Sequence, residues 1–240
     1  MRADKFLAQN GYYESRAKAH EAIDAGLVII DDQIVRKPSQ MVGKGAIIRA
    51  DKPYPWVSRA GVKLDHALTC FGVDVKGEIC IDVGSSTGGF TQVLCANGAQ
   101  RVYAVDVGRD QLRATVKADP RVVSLEQCDA RSLSSEQFEE PPNLIVCDVS
   151  FISCMKALDR PLALAAEMAR LITLVKPQFE VGKDNVGKGG IVRDQSLALQ
   201  SVETVKSWLI EQGWRIKGQD ISPIKGGDGN TEYLVYAVRG

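Results

Sequence analysis

Residues 78–91, EICIDVGSSTGGFT, limit how this chain can fold more than any other stretch. Ile79, Cys80, Ile81 and Val83 form a short apolar run, as in a strand buried on both faces. Asp82 and Gly84 stand where such a strand ends. Gly84, Gly88 and Gly89 then open a turn in which backbone can approach a ligand with no Cβ in the way. From Phe90 the spacing turns helical, with Val93, Leu94 and Ala96 on one face until Asn97-Gly98 stops it. Strand, glycine turn and helix make the first unit of a nucleotide-type α/β fold. Gly-x-x-x-Gly-Gly is neither the phosphate loop with its Gly-Lys-Ser/Thr nor the dinucleotide pattern. An acidic residue before the turn, with no phosphate-binding lysine, suits a cationic, phosphate-free cofactor such as S-adenosylmethionine. A tight turn that merely lets helix and strand pack is the competing reading, and this stretch alone leaves the two level.

The chain has 240 residues, room for one medium α/β domain and a small appendage. Its formal net charge of +0 names no partner, yet the charge is unevenly spread. Residues 1–59 carry ten Lys/Arg against seven Asp/Glu, leaving twenty against twenty-three in the remainder. By that small margin the N-terminal part is the one suited to an anion. The six cysteines (Cys70, Cys80, Cys95, Cys128, Cys147, Cys154) include no Cys-x-x-Cys pair, and several lie in apolar runs as small core residues. They read as reduced thiols of a cytoplasmic protein without metal or disulfide roles. No apolar signal segment opens the chain, and the longest apolar stretch, near residues 161–175, is interrupted by Glu167 and Arg170 and is too short to span a bilayer.

From the start, the pattern predicts a short helix over 2–10 with Phe6 and Leu7 inward, then a second from the cap Ser15 through Asp24. Ala19, Ala22 and Ile23 form its buried stripe and Gly26 its stop. Two short strands follow over 27–30 and 34–37, joined at Asp31-Asp32-Gln33, with a third near 46–49. Arg2, Lys5, Arg16 and Lys18 flank the helices; from charge alone, a solvated face is the ordinary explanation. The layout resembles the RNA-binding domain first seen in ribosomal protein S-four, with its αL motif. Arg2-Ala-Asp4-Lys-Phe-Leu7, Ser15-Arg16-Ala-Lys-Ala19, Ile23 and Gly26-Leu-Val28 carry that resemblance. It implies an α+β RNA-binding domain over 1–50, with Arg2, Lys5, Arg16 and Lys18 as candidate phosphate contacts.

Residues 51–59 read as an interdomain linker by Pro53 and Pro55, with Trp56 plugging the seam rather than stacking on a base. A helix led by Ser58-Arg59-Ala-Gly61-Val-Lys63 then precedes the cofactor strand. Apolar runs recur over 102–105, 122–125, 144–147 and 172–175, most of them separated by helical stretches. The alternation predicts a mostly parallel sheet covered on both faces, a Rossmann-like α/β domain over 60–240. A long helix from about Gln195, capped by Asp194, runs to Gly213, and strands over 215–221 and 233–238 should pair antiparallel at one edge. Asp106, Asp129 and Asp148 follow successive strands and should emerge on the rim where open α/β sheets bind ligands. There Asp106 is placed to accept from ribose hydroxyls of an adenosine and Asp129 from the adenine amino group. A single such carboxylate is more often a cap; three in series favour a ligand site.

Lys176, directly after an apolar strand in Leu174-Val-Lys176-Pro-Gln-Phe179-Glu180, is poorly solvated. Alone it reads as a lysine snorkelling from the core rather than as a general base. The wider pattern is similar to the Rossmann-like ribose 2′-O-methyltransferases of the FtsJ group, and the full chain resembles the TlyA family, hemolysin-named proteins that methylate ribosomal RNA cytidines at the 2′ oxygen. The matching motifs are Val57-Ser-Arg59-Ala-Gly-Val-Lys63-Leu, Asp82-Val-Gly84-Ser-Ser-Thr-Gly88-Gly89-Phe90-Thr91, Tyr103-Ala-Val-Asp106-Val-Gly108, Asp148-Val-Ser150-Phe151-Ile-Ser153, the Lys176 segment, Gly187-Lys-Gly189-Gly190-Ile-Val-Arg193-Asp194 and Gly229-Asn230-Thr-Glu232-Tyr233.

The resemblance implies a catalytic tetrad of Lys63, Asp148, Lys176 and Glu232. Lys176 would take up the hydroxyl proton, a task eased by the second ammonium of Lys63; Asp148 would position both lysines, and Glu232 would orient Lys63 or the target hydroxyl. It implies S-adenosylmethionine held by Asp82, Gly84, Ser85, Ser86, Thr87, Gly88, Gly89, Phe90, Asp106, Val107, Asp129, Ala130 and Asp148, with no metal needed. Ribosomal RNA or a ribosomal subunit is the implied partner, rather than DNA or a membrane. Arg59, Lys183, Lys188 and Arg193 join the candidate RNA contacts, the last three equally readable as a solvated loop. The sequence is compatible with a monomer. Two other readings are a membrane-active hemolysin, for which no signal or spanning segment is found, and an inactive RNA-binding assembly factor, against which the complete tetrad argues.

Overall fold

The computed structural model describes residues 1–240, which fold as two compact units, Met1–Pro55 and Trp56–Gly240. In the first, α1 (Ala3–Gln9) and α2 (Arg16–Asp24) precede a three-stranded antiparallel sheet of β1 (Val28–Ile30), β2 (Gln33–Ile34) and β3 (Ile48–Ala50), with β1 central. Ser15 Oγ accepts from Lys18 N at 3.3 Å and so caps α2. Leu7, Ala19, Ala22, Ile23 and Val28 fill the small core. Asp31 and Asp32 adopt φ of 50° and 61°, the left-handed pair that a two-residue hairpin turn requires.

Two expected bounds shift. Arg2 bridges to Met41 as extended chain, so α1 starts one residue later. The strand expected over 34–37 ends at Ile34: Val35 N still donates to Val28 O at 2.8 Å, but Pro38 has no N–H to carry the ladder further. Within the same unit Tyr13 Oη donates to Asp51 O at 2.7 Å, and Lys18 Nζ bonds Tyr54 Oη, so residues 51–54 are tied down.

The second unit comprises α3 (Ala60–Phe71), β4 (Ile79–Val83), α4 (Gly89–Ala96), β5 (Arg101–Asp106), α5 (Ala114–Lys117), β6 (Val122–Glu126), β7 (Leu144–Cys147), α6 (Cys154–Leu164), β8 (Ala169–Val175), α7 (Pro177–Glu180), α8 (Gln195–Glu211), β9 (Arg215–Ile221) and β10 (Tyr233–Arg239). The strands form one sheet in the order β6-β5-β4-β7-β8-β10-β9. All pairings from β6 to β8 are parallel, while β10 lies antiparallel to both β8 and β9. Alternation sorts the side chains: Cys80, Val102 and Leu144 pack with Leu64, Leu68 and Leu94 of α3 and α4 on one face. Ile81, Val83 and Ile145 pack with Leu158, Val202 and Leu209 of α6 and α8 on the other.

β8 starts at Ala169, three residues ahead of the apolar run, because Arg170 is neutralised by Glu78 at 2.7 Å. Between β6 and β7 the chain makes only two single 3₁₀ turns instead of a helix. Asp194 caps α8 as expected, accepting from Ser196 N at 2.8 Å. Trp56 lies over Gly61 of α3, where an added Cβ would come within 2.4 Å of the indole.

Candidate active site

The chain winds outward from β4 in one direction and from β7 in the other. A crevice therefore opens above their carboxyl ends, the usual ligand position in an open α/β sheet. Gly84, at φ 86°, sits on its floor; a Cβ there would lie 2.8 Å from the Asp148 carbonyl oxygen after β7. A hollow of about 490 Å³ beside it is lined by Gly84, Ser86, Asp106, Val107, Asp129, Ala130 and Phe151, among others. An adjoining hollow of about 250 Å³ shares Gly84, Ser86, Asp148 and Ser150 and adds Arg59, Ser85, Thr87, Phe90 and Lys176. Gly88 and Gly89 are closely packed and lie outside both linings: a Cβ would strike Leu112 at 2.7 Å and Ser58 Oγ at 2.2 Å, respectively.

Asp106 fastens the rim, accepting from Ser86 N at 2.8 Å and Gly108 N at 2.7 Å. Each of its oxygens keeps a lone pair for a further donor. Asp82 is fully buried within β4; its Oδ2 accepts from Thr91 Oγ1 at 2.6 Å, and its Oδ1 has no partner. Burial pushes this carboxyl up to about 7, against the lowering effect of Thr91. Ser85 Oγ is also buried without a partner. Glycine floor, rim carboxylate, unspent acceptors and volume fit a cationic adenosyl ligand. Asp129 is differently placed: Arg131 forks its carboxylate, with Nη2 at 2.6 Å, and lowers its pKa, so an adenine amino group would have to share that oxygen pair.

Four distant residues meet at the crevice. Asp148 Oδ1 lies 2.6 Å from Lys176 Nζ, an ion pair rather than an aligned hydrogen bond, and its Oδ2 lies 3.7 Å from Lys63 Nζ. Lys63 Nζ donates to Glu232 Oε2 at 2.5 Å, and Lys176 Nζ donates to Ser150 Oγ at 2.9 Å. Both lysines and Glu232 are buried, at 5%, 8% and 2% exposure, so each must be paired to remain charged. α3, the end of β7, the end of β8 and the start of β10 each supply one member. Ser150 is a participant that the sequence reading passed over; its place two residues beyond Asp148 was the available signal. Phe151 follows at φ 67° and 93% exposed, a strained position for a bulky residue at the mouth of the larger hollow.

The candidate RNA contacts do not form one class. Arg2, Arg16 and His20 converge on the solvent-shielded Asp4, with Arg16 Nη2 at 2.6 Å and His20 Nε2 at 3.0 Å. The arginines hold the Asp4 carboxyl well below the usual range. They remain half-exposed, so each presents part of its guanidinium outward. Lys5 is exposed, whereas Lys18 is engaged by Glu21 and Tyr54. In the second unit Lys183, Lys188 and Arg193 are exposed, and Arg59 donates to Lys225 O.

A doubly wound sheet with an adenosyl-sized hollow at its switch point and paired lysines at the rim defines a Rossmann-like methyltransferase. Residues 56–239 match the FtsJ-like methyltransferase family and residues 1–48 match the S4 domain. The chain belongs to the FtsJ-like methyltransferases, in their TlyA branch, and S-adenosylmethionine is its methyl donor. It is 43% identical to the 16S/23S rRNA (cytidine-2′-O)-methyltransferase TlyA of Mycobacterium tuberculosis over 98% of this chain and 88% of that one. It is 41% identical to Hemolysin A of Brachyspira hyodysenteriae, over 99% and 100%. A solved hemolysin-named protein from Streptococcus thermophilus superposes with a TM-score of 0.79 at 38% identity, covering 100% of this chain and 88% of that one. No helix here is long and apolar enough to cross a membrane.

Proposed function

We propose that this protein transfers a methyl group to a ribose 2′-hydroxyl of ribosomal RNA, at a cytidine, using Lys63, Asp148, Lys176 and Glu232. The observation that carries the reading is Asp148, set between two buried lysines at the edge of the adenosyl-sized hollow. S-adenosylmethionine supplies a methyl already activated on a sulfonium; Asp82, the 84–90 turn, Asp106 and Val107 would hold it, with Asp129 and Ala130 beside the adenine.

Lys176, the lysine that lines the hollow, faces the incoming hydroxyl. In its neutral form its lone pair would accept the 2′-hydroxyl proton as that oxygen takes the methyl carbon and the carbon–sulfur bond breaks, the donor leaving as its thioether, S-adenosylhomocysteine. Asp148 and Ser150 fix the amine from two sides, and Glu232 keeps Lys63 beside it as a fixed positive charge. A ribose hydroxyl is a weak acid, so most of the rate comes from holding oxygen and donor in line. The first unit docks on RNA through Arg2, Lys5 and Arg16, with Lys18, Arg59, Lys183, Lys188 and Arg193 as further phosphate contacts.

Incubation with methyl-labelled S-adenosylmethionine and ribosomal subunits tests this. Label in RNA that disappears with Lys176→Ala, while cofactor binding persists, supports it; equal turnover by Lys176→Ala removes the assignment.

A further inference from the structure

α3 carries Lys63 into the tetrad, and the same face of that helix continues past it. His66 and Cys70 follow at spacings of three and four, which places them along one stripe. That stripe meets β9, where Asp220 turns back toward it. His66 Nε2 lies 2.8 Å and Cys70 Sγ 3.3 Å from the same Asp220 Oδ2. All three ligand-type atoms fall within 4.8 Å of one another, and none belongs to the tetrad.

We propose that His66, Cys70 and Asp220 form a site for a zinc-class divalent metal ion that clamps α3 to the edge strand β9.

The same trio does not make a nucleophile. A cysteine activated by histidine turns its thiol to the imidazole, whereas here thiol and imidazole both turn to the carboxylate. The Cys70 thiol donates its proton to Asp220 rather than to a base. A metal ion reverses that balance by displacing the proton, and one thiolate with one carboxylate neutralises a dication. Imidazole and thiolate select the zinc class; magnesium and calcium favour oxygen-only sets.

The dimensions agree. Metal–ligand bonds of about 2.0–2.3 Å in a tetrahedron put neighbouring ligand atoms about 3.3–3.5 Å apart. The observed 2.8 and 3.3 Å need to open by about half an ångström or less, and the imidazole–thiol pair, within 4.8 Å, closes by up to about 1.3 Å through side-chain rotation. His66 and Asp220 are each 37% exposed, so their side chains have room for that adjustment, and the fourth corner falls to water on the solvent side. Asp220 lies 150 positions beyond Cys70, so no local motif announces the full set.

Cobalt(II) is the probe, titrated into the full-length, reduced, chelator-treated protein. One equivalent should raise an intense near-ultraviolet thiolate-to-cobalt absorption that Cys70→Ser abolishes. Asp220→Asn and His66→Ala should weaken binding by more than about a hundredfold, beyond the effect of outer-shell changes. Zinc should displace the colour and raise the Tm of the parent, but not that of Cys70→Ser, whose exposed position leaves folding intact. No absorption in the parent at excess cobalt, or absorption that survives Cys70→Ser, overturns the site.

Discussion

Asp148→Asn isolates the electrostatic core of the account, because it keeps the side chain's shape and removes only its charge. Lys63 then still holds Glu232 at 2.5 Å, while Lys176 keeps only the Ser150 hydroxyl at 2.9 Å. One ammonium at 8% exposure is left without a counter-charge. Breaking a buried pair from one side costs about 3–5 kcal/mol, and with a single lysine stranded the lower end, about 3 kcal/mol, applies. For a unit of this size that lowers Tm by about 6–12 °C. Asp148→Asn/Lys176→Met removes the stranded ammonium as well, so it should regain about 1–3 kcal/mol over the single variant. Chemical denaturation of the parent, both singles and the double closes the cycle. If the double variant loses the sum of the two single effects, the lysine and aspartate are not coupled and the reasoning fails. Both variants should lack methyl transfer.

Other outcomes follow from named atoms. Between pH about 4 and 7 the folded state holds the Asp82 proton that the unfolded chain has released, so stability falls as pH rises through that window and is level above it; Asp82→Asn should remove up to about 3 kcal/mol of the stability difference between pH 5 and 8 in denaturant unfolding, and an unchanged difference refutes it. Gly84→Ala meets both a left-handed φ and the Asp148 carbonyl at 2.8 Å, so calorimetry should find S-adenosylmethionine binding lost; normal binding contradicts the pocket assignment. Asp4→Ala releases Arg2, Arg16 and His20 together, so rRNA affinity should fall and its salt slope change; an unaltered salt slope removes the idea of a pre-set cation cluster. Deleting residues 1–55 should spare cofactor binding, since both halves of the sheet core lie after Pro55, but weaken subunit binding.

The sheet was legible because its strands are unbroken apolar runs that end at acids and glycines, a pattern that survives any tertiary context. Asp106 and Asp148 were found by position, each one residue past its run. The pairing of Lys63 with Glu232 spans 169 positions and has no local trace; only the resemblance to a family brought them together. The Asp4 cluster stayed hidden because an acid early in a helix reads as a dipole partner, although here Arg2 from the chain ahead of α1 and Arg16 and His20 from α2 close around it. From sequence alone Asp129 reads as free for a ligand, because Arg131, two residues on, carries no sign that it folds back. The strand after the hairpin stops short of Lys37 because Pro38 offers no N–H, although Val35 N still reaches Val28 O.

The central claim is that four converged side chains methylate a ribose oxygen rather than a base. Nuclease digestion of ribosomal RNA labelled by the parent protein, with separation of the nucleosides, measures it directly. The account predicts that the label elutes as 2′-O-methylcytidine and is absent with Lys63→Ala or Lys176→Ala; label on a nucleobase, or label that persists in both variants, contradicts it.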